Sequence, residues 1–372
     1  MELPIQMYDP KREYNLHRNE IDNAIQGVLN HGLFVNGPDI HALEDNLSEF
    51  TGSKCITVSD GTDALQIALL ALDIGIDDEV ITVAHSWIST VEVIALIKAT
   101  PVFVDIEPIT FNMDPNKLEN AITDKTKAII VVNLYGHMAD YDKINEIAGK
   151  YKIPVIEDGA QSFGALYNNK KSCSLTTIGT TSFFPSKPLG CYGDGGACFT
   201  NIPELEAKIR AIKNHGGVKR FHHKYIGMNA RLDTIQAAIL NVKLGYFEET
   251  VKTRNICANY YTLKLKCLED IGFELPKVNK KCMSVWAQYS ILAPDIEIRD
   301  SIVHYLKENK INVSIFYPSP LHLQECFEYL GYKRGDLPVT EDICSRIFNL
   351  PCYGELTEKE QLFIINMLKQ FK

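Results

Sequence analysis

From residue 54 to residue 158 the chain alternates short apolar runs with longer helical stretches, and this alternation constrains its fold most. The apolar runs are Lys54–Ser59, Glu79–Val83, Pro101–Asp105, Ala128–Leu134 and Ile153–Asp158. Between them apolar residues recur at helical spacing, as in Ala64, Leu65, Ala68, Leu69 and Leu72. Short buried strands separated by helices predict an α/β fold, a mainly parallel sheet with helices on both faces. Ligands bind such sheets beyond the carboxyl ends of the strands. Ser59, His85 to Trp87, Tyr135, Asp158 and Lys187 all follow predicted strands, so they can converge on one cleft.

The stretch Thr177–Asn201 adds the most reactive candidate. A β-rich run, Thr180–Phe184, leads to Lys187, and a bend with Gly190, Gly193, Gly195 and Gly196 follows. No other lysine occurs between Lys171 and Lys208. An amine kept from water loses its proton more easily and can form a Schiff base; a surface lysine on a hairpin loop is the plain alternative. Asp60-Gly61-Thr62-Asp63 joins a strand to a helix start, where free N–H groups and hydroxyls suit an anion. Ser59 or Thr62 could equally be simple caps. Trp87 could stack on a flat ligand or fill a core or subunit contact. Asp158 closes an apolar strand and is followed by small residues that let a ligand approach; an N-cap is the alternative.

Around this centre, residues 15–32 and 40–50 read as helices, and 234–262 as one long helix or a broken pair. From about Leu263 a second αβ pattern begins: strand 287–293, helix 295–310, strand 313–316 and a Pro-fixed loop, Tyr317–His322. A chain of 372 residues is too long for most single cores. The expected division is a large domain, 1–250, with an N-terminal helical segment, and a small C-terminal domain, 251–372.

The net charge of −9 argues against a nucleic-acid partner. One basic cluster, Lys213 to Lys224, is a candidate anion site or a solvated loop. The ten cysteines show no zinc-site spacing and read as reduced thiols of a cytoplasmic protein. The N-terminus lacks the pattern of a signal peptide, and no apolar run suits a membrane span.

Several stretches, in order along the chain, resemble the DegT/DnrJ/EryC1/StrS family of sugar aminotransferases. They are Ser59–Leu65, Asn133–His137, Glu157–Ala165, Ser182–Lys187 with Gly193–Gly196, and Asn229–Ala238. The resemblance implies a fold-type I architecture, with a mixed, mainly parallel seven-stranded sheet, and pyridoxal 5′-phosphate (PLP, or PMP in its amino form) as cofactor. It implies Lys187 as the Schiff-base lysine, Asp158 beside the pyridinium nitrogen and Gln161 near the ring's phenolic oxygen. It implies Trp87 on the ring, and Gly61, Thr62 and Ser182 at the phosphate. Asn229 would arrive from a partner subunit, making a homodimer with shared active sites. Arg231, Tyr317 and His322 sit where nucleotide sugar is expected. No role follows for Asp60, His85 or Ser86.

The Thr181–Gly196 stretch looks most like the branch that aminates C3 of a UDP-linked 2-acetamido-3-keto-glucuronic acid. Glutamate would be the donor and surface polysaccharide such as O-antigen the destination. Rival readings are a 4-keto sugar aminotransferase, a sugar dehydratase, disfavoured because Lys187 is present, and a non-catalytic regulator on the same fold. The glycine bend does not spell a dinucleotide fingerprint, and no P-loop is present.

Overall fold

The computed structural model describes residues 4–371. Met1–Leu3, within the stretch read as lacking a signal peptide, and Lys372 lie outside the described residues. Seven strands form one sheet: β1 (Lys54–Val58), β2 (Glu79–Val83), β3 (Thr100–Val104), β4 (Thr126–Val132), β5 (Val155–Asp158), β6 (Ile178–Ser182) and β7 (Gly196–Thr200). Their spatial order is β1-β7-β6-β5-β4-β2-β3. The run from β3 to β6 is parallel. β7 alone runs against its neighbours, antiparallel to both β1 and β6. The expected mixed, mainly parallel seven-stranded sheet is therefore present.

The strands are apolar because both faces are covered. One face packs Ile56, Val58, Val80, Ile130 and Ile156 against Ala64, Leu65, Ala68 and Leu69 of the helix Gly61–Ala71. The other packs Ile81, Val83, Ile129 and Val131 in a core with Leu43, Leu47, Tyr141 and Ile144 of two further helices. Most of β1, β2 and β4 is buried on both faces, which explains runs with no polar alternation.

A separate core gathers Tyr261, Leu265, Ile302, Leu306, Ile364 and Leu368 around two antiparallel strands, β8 (Tyr289–Leu292) and β9 (Ile347–Leu350). Ile5 is buried in that same core, and its backbone bridges to Ile311.

Two expectations need correction, and a third, left open between two readings, is settled. The helix expected over 15–32 is two helices, Pro10–Leu16 and Arg18–His31, because His17 leaves helical dihedrals and stacks on Tyr246 at 3.5 Å. The strand expected over 313–316 makes only a single bridge, Ser314 to Asn349. The stretch 234–262 is a broken pair, Thr234–Leu244 and Phe247–Leu265.

Candidate active site

A cavity of about 590 Å³ opens where the carboxyl ends of β5 and β6 meet the start of the helix Gly61–Ala71. Its wall includes Gly61, Thr62, Trp87, Asp158, Gln161, Ser182, Lys187 and Tyr317. Eight residues singled out from the sequence thus share one cavity.

The helix start is built for an anion. Asp60 caps only the Asp63 N–H, at 2.9 Å, so the Gly61 and Thr62 N–H groups remain as the orphan donors of a first turn. Gly61 must be glycine here, because a Cβ would lie 2.7 Å from Cβ of Ser182. The Ser182 hydroxyl accepts the Phe184 N–H at 3.2 Å and keeps its own proton to donate. The Thr62 hydroxyl lies 2.7 Å from that of Ser89.

Deeper in the cavity, Asp158 ends β5 and is buried. Its Oδ2 accepts the Thr90 hydroxyl at 2.8 Å and its Oδ1 the Ala160 N–H at 3.2 Å. The Ser86 hydroxyl lies 2.8 Å from that of Thr90; since Thr90 gives its proton to Asp158, Ser86 donates to Thr90. Burial raises the Asp158 pKa, and Thr90, Ala160 and Lys187 pull it back. Burial lowers the Lys187 pKa, with Asp158 opposing. A half-buried lysine on the same wall as a buried, hydrogen-bonded carboxylate is the donor set that a pyridine aldehyde phosphate needs: a nucleophile, a partner for the ring nitrogen and an anion cradle. The residues present therefore fit the cofactor.

Gln161 accepts the Tyr135 N–H at 2.7 Å and donates to the Tyr317 hydroxyl at 3.2 Å. Trp87 stands at the mouth, 57% exposed, with its ring 6.1 Å from that of Tyr317.

Three expected residues are not on this wall. Asn229 is exposed and bridges its backbone to Asn214, and Arg231 donates to the Asn214 side chain at 3.4 Å. His322 corrects an expectation: it is buried against Phe103 and Tyr332, with Nε2 on Glu341 at 3.1 Å, and presents no surface to a sugar. Lys213 also leaves the basic cluster, being buried on Glu44 and the Thr57 carbonyl. The other basic residues of that cluster, Lys219, Arg220, His222, His223 and Lys224, are exposed at or beside a small hairpin.

Thr90, Ser89, Gln288 and Phe316 also line or support the site and escaped sequence reading. Thr90 and Ser89 sit inside an apolar helix, where hydroxyls carry no positional signal. Phe316 and Gln288 reach the cavity from far along the chain, where Phe316 packs against the core of the sheet.

The sequence matches the DegT/DnrJ/EryC1/StrS aminotransferase family over residues 15–369. It is 47% identical, over 95% of this chain and 96% of the relative, to the UDP-2-acetamido-2-deoxy-3-oxo-D-glucuronate aminotransferase of Pseudomonas aeruginosa. It is 41% identical, over 99% of both chains, to a pleiotropic regulatory protein of Geobacillus stearothermophilus. The structure superimposes with a TM-score of 0.92 on NtdA of Bacillus subtilis, solved with bound cofactor PMP, at 33% identity over 100% of this chain and 86% of that one. The chain belongs to the DegT/DnrJ/EryC1/StrS aminotransferase family and is a PLP-dependent sugar aminotransferase.

Proposed function

We propose that the enzyme transfers an amino group from glutamate to C3 of a UDP-linked 2-acetamido-3-keto-glucuronic acid, for surface-polysaccharide synthesis in the cytoplasm. The similarity to the Pseudomonas aeruginosa relative, which spans nearly the whole of both chains, carries this reading. The amine, carboxylate and anion cradle of the cavity supply the groups that this reaction needs.

When bound, the cofactor supplies an electron sink and a carrier for the amino group. Gly61, Thr62 and Ser182 hold its phosphate through N–H and O–H donors. Asp158, whose carboxylate is held by Thr90 and the Ala160 N–H, pairs with the ring nitrogen and favours a proton there. Lys187, its amine made less basic by burial, takes the proton from the donor's α-carbon and returns one to C3 of the sugar. A tethered base beside both carbons needs no diffusing partner. Trp87, at the mouth, stacks on the cofactor ring, and Tyr317 beside it holds the sugar.

The charge of the cavity supports a site completed by a second subunit. Its wall carries Asp60, Asp63, Asp158 and Asp194 against one cation, Lys187. A substrate with two phosphates and a carboxylate needs fixed positive donors. Arg231 and the Lys219–His223 cluster, both off this wall, supply them from the partner of a homodimer, and Asn229 adds a neutral amide donor at the cofactor's phosphate. Arg231 is assigned to the sugar carboxylate, which a planar guanidinium can hold by two parallel bonds.

The test is incubation with glutamate and a panel of 3-keto and 4-keto UDP-sugars, with products read by mass and NMR. Preferred amination of the 3-keto uronic acid is expected; faster turnover of a 4-keto sugar overturns the substrate assignment. Arg231→Lys should raise KM for the uronic acid more than for its 6-hydroxymethyl analogue, and equal losses remove Arg231 from that role.

A further inference from the structure

His85 follows β2 and is buried, away from the cavity wall, yet it touches the elements that shape that wall. Its Nε2 lies 2.9 Å from the Tyr135 hydroxyl and its Nδ1 3.2 Å from Sγ of Cys344. The Tyr135 hydroxyl also donates to the carbonyl of Phe316.

Proton counting fixes every direction in this chain. A carbonyl cannot donate, so the single phenolic proton of Tyr135 goes to Phe316. Nε2 of His85 must then donate to the Tyr135 oxygen. A neutral imidazole with a proton on Nε2 accepts on Nδ1, and the Cys344 thiol is the donor that faces it. The ring is neutral, because burial drops the His85 pKa to about 3. Burial also pushes the Cys344 thiol up to about 12, so it keeps its proton. The result is a one-way series: Cys344 to His85, His85 to Tyr135, Tyr135 to Phe316.

Tyr135 is the junction between this series and the cavity. Its φ of +59° is a left-handed conformation that a tyrosine rarely adopts. In that conformation its backbone N–H reaches Oε1 of Gln161 while its side chain reaches Phe316. Gln161 in turn holds the hydroxyl of Tyr317, the residue after Phe316. The Tyr135 side chain thus pins the 316–317 segment from behind, and its main chain orients Gln161 from the side. Cys344 adds the helix Pro338–Arg346, tying the C-terminal part of the chain into the same series.

We propose that His85 is a positioning residue: as the Nε2-protonated tautomer, it locks Tyr135 and thereby fixes Gln161 and the Phe316–Tyr317 segment on the cofactor side of the cavity. The inference rests on Gln161 facing the cofactor.

The substitutions His85→Gln and His85→Phe separate this role from simple packing. A glutamine amide can place an N–H donor where Nε2 stood, whereas phenylalanine keeps ring volume and donates nothing. His85→Phe should weaken binding of pyridoxal phosphate to the apoenzyme by roughly fivefold to tenfold, the size of one lost buried hydrogen bond. His85→Gln should recover most of that loss. Tyr135→Phe should match His85→Phe, and the double variant should be no worse than either single one. Nitrogen-15 NMR of the ring should show Nε2 protonated and Nδ1 bare at neutral pH. The opposite tautomer, equal losses in the Gln and Phe variants, or additive effects in the double variant each overturn the proposal. If His85→Phe does not fold, His85→Gln against Tyr135→Phe carries the same comparison. Gln161→Ala serves as the reference: if it leaves cofactor affinity unchanged, the placement of Gln161 is what fails, and the inference falls with it.

Discussion

Lys187 and Asp158 show how far single residues carry the chemistry. Replacing Lys187 by Ala removes an amine from a cavity wall and leaves the core untouched. Multiple-turnover activity should fall to background while the melting temperature stays within a few degrees; normal turnover would remove Lys187 from its role. Glu157, the neighbour of Asp158 on β5, makes a different prediction. It is fully buried, and its Oε1 takes three donors, from Asn133, Ser172 and Cys173, while Oε2 has no partner. Burial raises its pKa to about 7. The folded state therefore holds a proton that the unfolded chain releases near the ordinary glutamate value. This group's contribution is complete below that ordinary value and is lost as pH rises toward 7. Glu157→Gln has no proton to lose. Relative to wild type it should gain roughly 2–3 kcal/mol between pH 4.5 and 8, just under the linkage limit for this shift. Denaturant midpoints measured across that range check it, and a flat difference would show that Glu157 is not buried as a neutral acid.

Asp158 and Lys187 were legible in the sequence because each ends or follows an apolar strand in a chain that alternates strand and helix. Thr90 was not, although it holds Asp158, because its contact crosses 68 residues and its own helix gives no polar signal. His322 was expected at the sugar from the family resemblance, and a matched loop position does not fix which way a side chain faces; here it is buried. At the scale of elements, the seven strands were readable from buried runs. The break near Tyr246 was one of two readings left open, and the break at His17 was not read at all, since His17 leaves the helix where its ring stacks on Tyr246, a contact across more than 200 residues. The joint between β6 and the helix Gly61–Ala71 carries its own prediction. Gly61→Ala would drive a methyl into Ser182 and spread the anion cradle. Affinity for pyridoxal phosphate should fall at least tenfold with little change in melting temperature, as read by equilibrium titration; unchanged affinity would move the phosphate elsewhere.

For the whole molecule, the cores on the two faces of the sheet and the separate C-terminal core support a proposed division near residue 250, with Ile5 crossing from one end of the chain to the other. The acidic cavity supports a shared site, and this has a direct test. Lys187→Ala and Asn229→Ala subunits, each inactive alone, are mixed and allowed to exchange. A heterodimer should regain one site built from two intact halves. Activity in an isolated monomer would rule out sharing.

The reversed strand β7 has a consequence for how the chain is made. Lys54 pairs with Thr200, so β1 leaves the ribosome long before the strand it joins in the sheet. At ordinary elongation rates that interval is on the order of ten seconds, during which an apolar strand waits without a neighbour. Ile5 waits longer still, until Ile311 has been synthesised. Closure of the sheet is therefore a late, non-local event. The nascent N-terminal third is the part most exposed to chaperone capture or misassociation.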